Sequence, residues 1–194
     1  MADIAHANSA QTLENLIGGT FARKAAITVL GSLFLAAMSQ INVPSYPVPV
    51  TLQTLAVMLI GLTFGFRLAT ATVALYLIEG FVGLPVFAGF SFGPAVFVGG
   101  TAGYLFGFLG AAALMGFMAD RGVTKTWAGM VATLLAGEVV IFGLGIAYLT
   151  YLYGFDKALA YGLYPFILAD LVKVAIAALM GKGVIKGASR FASL

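Results

Sequence analysis

The chain has 194 residues, 61% hydrophobic and 9% charged, with a mean hydropathy of +1.05. Soluble domains carry about 25% charged residues, and ten basic plus seven acidic side chains cannot clothe a chain of this length in water. The bilayer is therefore the solvent for most of it. Its net charge of +3 is spread as single or paired residues between apolar runs, which argues against a nucleic-acid partner. With no cysteine and one histidine, His6, metal or disulfide sites built on those residues are excluded.

Residues 1–22 read as a polar cytoplasmic tail, in which Thr12–Ile17 is either a short interfacial helix or disordered. Arg23 and Lys24 stand directly before the first long apolar run, the order of a tail entering a helix rather than of a cleaved signal peptide. Apolar runs follow at 25–41, 49–65, 68–84, 96–119, 127–150 and 163–181. Each approaches the roughly 20 residues that cross about 30 Å of hydrocarbon, so an all-α integral membrane protein with six transmembrane helices is expected. Arg23, Lys24, Arg67, Arg121, Lys125, Lys182, Lys186 and Arg190 then fall on one side and Lys157 on the other. The excess of positive charge places both termini inside. Residues 23–186 form one transmembrane unit, and 187–194 a cytoplasmic C-terminal tail.

The longest outer connections, Asn42–Pro49 with three prolines and the glycine-rich Gly83–Gly100, are too apolar for ordinary wet loops. Irregular backbone at membrane depth must be covered by protein or line a cavity. The two segments are expected to fold back as outer lids; the other reading is short surface turns.

Ionisable side chains inside membrane helices are costly and therefore functional candidates. Asp170 and Lys173, three apart, share one helix face near its outer end; they read equally as a ligand site or as a self-neutralising structural pair. Glu79 and Glu138 read as substrate or proton sites, or as protonated carboxyls bonded to a neighbouring helix, the second being favoured. Gln53, with Thr51 and Thr54, offers neutral donors and acceptors beneath the first lid. Most outer aromatics suit an interfacial belt, but those of the glycine-rich loop would face the space between the lids. Neither a phosphate loop nor a nucleophile elbow is expected, and no apolar run carries a histidine. The chain reads as a non-enzyme with no cofactor, whose energy source lies elsewhere.

Three runs, Val48-Pro49-Val50-Thr51-Leu52-Gln53-Thr54 continuing to Gly61, Gly83-Leu84-Pro85-Val86-Phe87-Ala88-Gly89, and Gly100-Thr101-Ala102-Gly103-Tyr104-Leu105-Phe106-Gly107-Phe108, closely resemble the BioY family, the biotin-specific S components of energy-coupling factor (ECF) transporters. Pro165 followed by Asp170 and Lys173 resembles the family's sixth-helix pattern. The resemblance implies a six-helix S-component fold and a biotin pocket near the outer surface of a bacterial cytoplasmic membrane, closed by the outer loops. It implies a coupling subunit in the membrane and cytoplasmic ATPase subunits as partners. Asp170 would accept from a urea N–H of biotin, while Lys173 and Gln53 donate to its carbonyl or steady its carboxylate. Val50, Thr51, Phe87, Phe90 and Tyr104 would surround the remainder. One departure is that Gly83–Gly100 holds no charged residue. The carboxylate is then left to Lys173, to backbone N–H groups around Gly89 and Gly93, or to water. Small residues facing the coupling subunit would be Ala22 with Ala26, or Ser32 with Ala36. Alternatives are an S component for another vitamin, or a stand-alone small-solute carrier.

Overall fold

A computed structural model describes Thr12 and residues 20–192. His6 and, apart from Thr12, the segment Thr12–Ile17 lie outside the described residues. Seven α-helices are present among the described residues: α1 (Phe21–Gln40), α2 (Gln53–Phe64), α3 (Phe66–Phe81), α4 (Ala102–Asp120), α5 (Trp127–Tyr153), α6 (Phe155–Gly162) and α7 (Tyr164–Ala192). Two short strands, β1 (Asn42–Val43) and β2 (Val50–Thr51), pair antiparallel with Asn42 opposite Thr51.

Helices α1, α4, α5 and the Tyr164–Gly183 part of α7 are long and apolar enough to cross a membrane. At 1.5 Å per residue, α2 is about 18 Å long and α3 about 24 Å, both short of the hydrocarbon thickness. The reason for α2 lies in its approach. Pro44, Pro47 and Pro49 lack backbone donors and hold their predecessors extended, so residues 42–51 pair as a hairpin and the helix starts at Gln53, not near residue 49. The ladder pairs Asn42–Val43 with Val50–Thr51, and the Leu52 N–H extends it by donating to Ile41 O at 3.1 Å.

Every residue of α2 from Gln53 to Thr63 is buried, which fits a helix apolar on all faces. It lies among α1, α4 and α7. Gly65, at φ 85°, turns α2 directly into α3 in a conformation open to glycine. Asp120, closing α4, accepts the Phe66 N–H at 2.8 Å and so satisfies one free donor at the start of α3. Along α4 and α5 the backbones nearly touch: a Cβ on Gly107 would stand 2.8 Å from Ile141 Cα. Small residues of this kind are what allow close helix packing in lipid.

Two expectations differ in detail. The stretch between the apolar runs 127–150 and 163–181 contains α6, whose first turn carries Asp156 against the helix's positive end. The last helix runs to Ala192, so residues 187–192 of the expected tail are helical. The segment 83–100 folds over the hairpin end of the bundle in two 3₁₀ turns, Ala88–Phe90 and Pro94–Val98. It is tied to α1 by Ser39, whose hydroxyl donates to Val86 O at 2.7 Å, and by Gln40, which donates to Phe87 O at 3.0 Å and accepts the Phe90 N–H at 3.1 Å.

Candidate functional site

Beneath this covering lies a cavity of about 190 Å³. The hairpin and the start of α2 supply Val48, Pro49, Thr51, Gln53 and Thr54. The loop supplies Phe87, Ala88, Ser91 and Val96; α4, α5 and α7 add Tyr104, Phe108, Ile141, Phe142, Phe166, Asp170 and Lys173. The wall is mainly apolar with polar groups gathered on one side, as in small-molecule sites generally.

That polar side is organised by Lys173. Its ammonium donates to Thr51 O at 2.6 Å, Thr54 Oγ1 at 2.9 Å and Asp170 Oδ1 at 2.6 Å, joining β2, α2 and α7. The Thr54 hydroxyl in turn donates to the same Asp170 oxygen at 2.9 Å. Asp170 is 3% exposed and Lys173 5%, so both charges are out of water and neutralise each other. Asp170 Oδ2 has no hydrogen-bond partner among the described residues. A buried carboxylate oxygen left over on the wall of a cavity is a ready acceptor for a solute N–H. Spacing alone supplied two of these groups; Thr51 O joins them because the hairpin leaves that carbonyl facing α7.

Gln53 belongs to a second chain of contacts. Its amide donates to Tyr76 Oη at 2.5 Å and Tyr76 donates to Val86 O at 3.1 Å, so the floor of the cavity is bonded to its cover. Phe87, 2% exposed, drops its ring between Tyr76 and Phe97, edge to face at 5.2 and 5.7 Å. On the opposite wall, Tyr104 stacks on Phe166 at 6.3 Å and donates to Gly162 O at 2.8 Å. Phe142 and Phe166 are not distinguishable in sequence from core or belt aromatics, because only the tertiary fold turns them toward the cavity, and Tyr76 is equally unmarked, since its place behind Gln53 and Phe87 is set by the same fold.

The other expected residues fall elsewhere. Phe90 is 66% exposed and points away, and Gly89 stands exposed at the loop surface. The Gly93 N–H is bound to Gly80 O at 2.7 Å and is not available to a ligand. Val50 faces the far side of β2, onto a wider lateral groove of about 570 Å³ bordered by Ile41, Leu168 and Val172; Thr51 and Lys173 partition the two spaces. Residues 89–93 do spell Gly-x-Ser-x-Gly. There the Ser91 hydroxyl donates to Ala88 O at 2.9 Å within a loop, and His6 is the chain's one histidine, so the strand-to-helix geometry and base of a nucleophile elbow are missing.

Of the two lone glutamates, Glu79 accepts from Ser32 on α1 at 3.0 Å through Oε1, the bond to a neighbouring helix expected of it, while its Oε2 meets no partner among the described residues. Glu138 does not follow it: among the described residues neither carboxyl oxygen meets a hydrogen-bond partner. Ser32 is fully buried on the α3 side, whereas Ala22 and Ala26 are exposed. That removes Ser32 with Ala36 as an outward-facing pair.

Comparison with known proteins agrees with this architecture. The BioY family model matches residues 7–190. A biotin transporter BioY of Thermotoga maritima is 40% identical over 141 residues, covering 72% of this chain and 82% of its own. One from Rhizobium etli is 33% identical over 177 residues, covering 85% and 94%. The fold is that of the S component for biotin from an ECF-type ABC transporter, solved at 2.1 Å: TM-score 0.73, 24% identity, 87% of this chain and 95% of that one. This chain is a membrane protein that belongs to the BioY family.

Proposed function

We propose that the chain captures biotin from outside a bacterial cytoplasmic membrane and carries it inward as the S component of an ECF-type transporter. The observation that carries this reading is the Asp170–Lys173–Thr54 cluster set in an otherwise apolar, covered cavity. Biotin has a cyclic urea with two N–H donors and a carbonyl acceptor on an apolar bicycle. Asp170 Oδ2 accepts a urea N–H, Lys173 steadies the carbonyl, and the bicycle lies against Phe87 and Tyr104. A polar pocket of this kind rejects analogues that leave its buried groups unpaired.

In this reading six spans cross the membrane with both termini inside. Residues 1–22 and 187–194 are cytoplasmic tails flanking a binding domain at 23–186, and the short α2 and α3 complete their crossings through the hairpin and the loop. The solute enters from the hairpin end. No nucleotide-binding motif is present in the chain, so transport against a gradient draws on ATPase subunits through a coupling subunit. That subunit meets α1 around Ala22 and Ala26, beside the exposed Val29, Leu30 and Leu33.

Equilibrium binding of radiolabelled biotin to the purified chain in detergent tests the reading. Saturable binding at one site per chain, displaced by desthiobiotin and not by riboflavin or thiamine, is expected; competition won by another vitamin would reassign the solute. The loop gives a second test. Gly80 leaves room for the Phe87 ring, which a Cβ there would overlap. Gly80→Val is expected to lift Phe87 from the cavity and weaken biotin binding at least about tenfold, about 1.4 kcal/mol, whereas Phe90→Ala leaves affinity unchanged.

A further inference from the structure

Glu138 sits on α5 one turn from Ile141 and Phe142, which line the cavity, and on the side away from the loop covering. It is 7% exposed, and neither carboxyl oxygen has a hydrogen-bond partner among the described residues. The charges close enough to act on it are those of Asp170 and Lys173 on α7. Of the other elements packed against α5, α2 carries no ionisable side chain. On α4, Tyr104 is engaged with Gly162 O and Asp120 with Phe66 N–H; on α6, Asp156, Lys157 and Tyr161 lie at the loop end, as does Tyr164 at the start of α7. Lys125, on the 3₁₀ turn Val123–Lys125, and Lys182 of α7, over the Trp127 ring, stand at the other end of α5.

The charge balance is therefore local. Lys173 is one cation set against two carboxyls: Asp170 holds it at 2.6 Å, and Glu138 feels both charges without contacting either. An ionised Glu138 leaves the cluster at net −1, tolerable while water fills the neighbouring cavity and costly once it does not. A bound solute both displaces that water and, if biotin, adds a carboxylate of its own.

We propose that Glu138 is a proton-binding site linked to cavity occupancy: it takes up one proton from the medium as solute enters and returns it when the cavity refills with water. This rests on the biotin-binding reading above. No covalent bond is made or broken apart from the O–H of the carboxyl, and the buffer supplies and receives the proton. Linkage fixes the sign. Affinity is constant below the midpoint of the empty site and falls about tenfold per pH unit between it and the higher midpoint of the occupied site, because each binding event then needs a proton from solution.

The test is biotin affinity of the purified chain between about pH 6 and 9, a range in which biotin's own carboxylate stays ionised, for the wild type and Glu138→Gln. The glutamine mimics the protonated acid. A pH-dependent wild type with a flat Glu138→Gln profile, and one proton taken up per biotin in calorimetry across buffers of different ionisation enthalpy, is expected. A flat wild-type profile overturns the proposal, and so does a slope that survives in Glu138→Gln, which would assign it to Lys173. Infrared titration of the protein with no solute added is independent of the ligand's identity. A protonated-carboxyl C=O band that fades with rising pH and is missing in Glu138→Gln is expected even if biotin does not bind. A band that ignores pH, or persists in the variant, overturns the site.

Discussion

Lys173→Met is expected to lose biotin binding and to destabilise the protein, while Asp170→Asn weakens binding at least about tenfold, about 1.4 kcal/mol, with the fold retained. The difference follows from geometry. The ammonium of Lys173 serves acceptors on β2, α2 and α7 at once, so its removal strands a carboxylate that is 3% exposed. Removing one partner of a buried ion pair costs about 3–5 kcal/mol. Asparagine at 170 keeps an oxygen for Lys173 and Thr54 and gives up only the charge and the second acceptor. The double variant Asp170→Asn, Lys173→Met is expected to recover much of the stability lost by Lys173→Met and none of its binding. Thermal unfolding in detergent beside radiolabelled biotin binding reads both quantities. If the double variant still bound biotin as the wild type does, the pair would be structural and no part of the site.

Gly107→Leu is expected to abolish the folded protein. Its Cβ would lie 2.8 Å from Ile141 Cα and 3.0 Å from Ile141 O, and both are backbone atoms that no side-chain rotation can move. Separating α4 from α5 by the width of a side chain would also pull Tyr104 away from the cavity wall, since the same helix face carries both. Gly143→Leu, on α5 where a Cβ meets nothing within 4 Å, is the control and is expected to fold normally. Size-exclusion profiles of the two variants in detergent separate the outcomes. A monodisperse Gly107→Leu would show that the α4–α5 contact is not needed for folding.

How much of the site was legible depended on whether its signal was local. Asp170 and Lys173 were readable because a charged pair three residues apart inside an apolar run has few explanations. Thr51, Gln53 and Thr54 were readable because they share one depth under a proline-rich turn. Phe87 and Phe90 could not be told apart, since both are phenylalanines of one loop. The conformation there, with Gly89 and Phe90 both at positive φ, buries one ring and exposes the other.

Mean hydropathy, run length and separated motifs survive any arrangement of the helices, so the solvent, the run of apolar helices and the family are all legible in the chain. Only the tertiary contacts set α2 to begin at Gln53 behind a hairpin, turn Thr51 O to Lys173 and Val50 to the lateral groove, and leave Glu138 with no hydrogen-bond partner among the described residues while Glu79 has Ser32. Each of these depends on which groups from distant parts of the chain meet at one depth, and hydrogen-bond and charge partners far apart in sequence leave no periodicity to read.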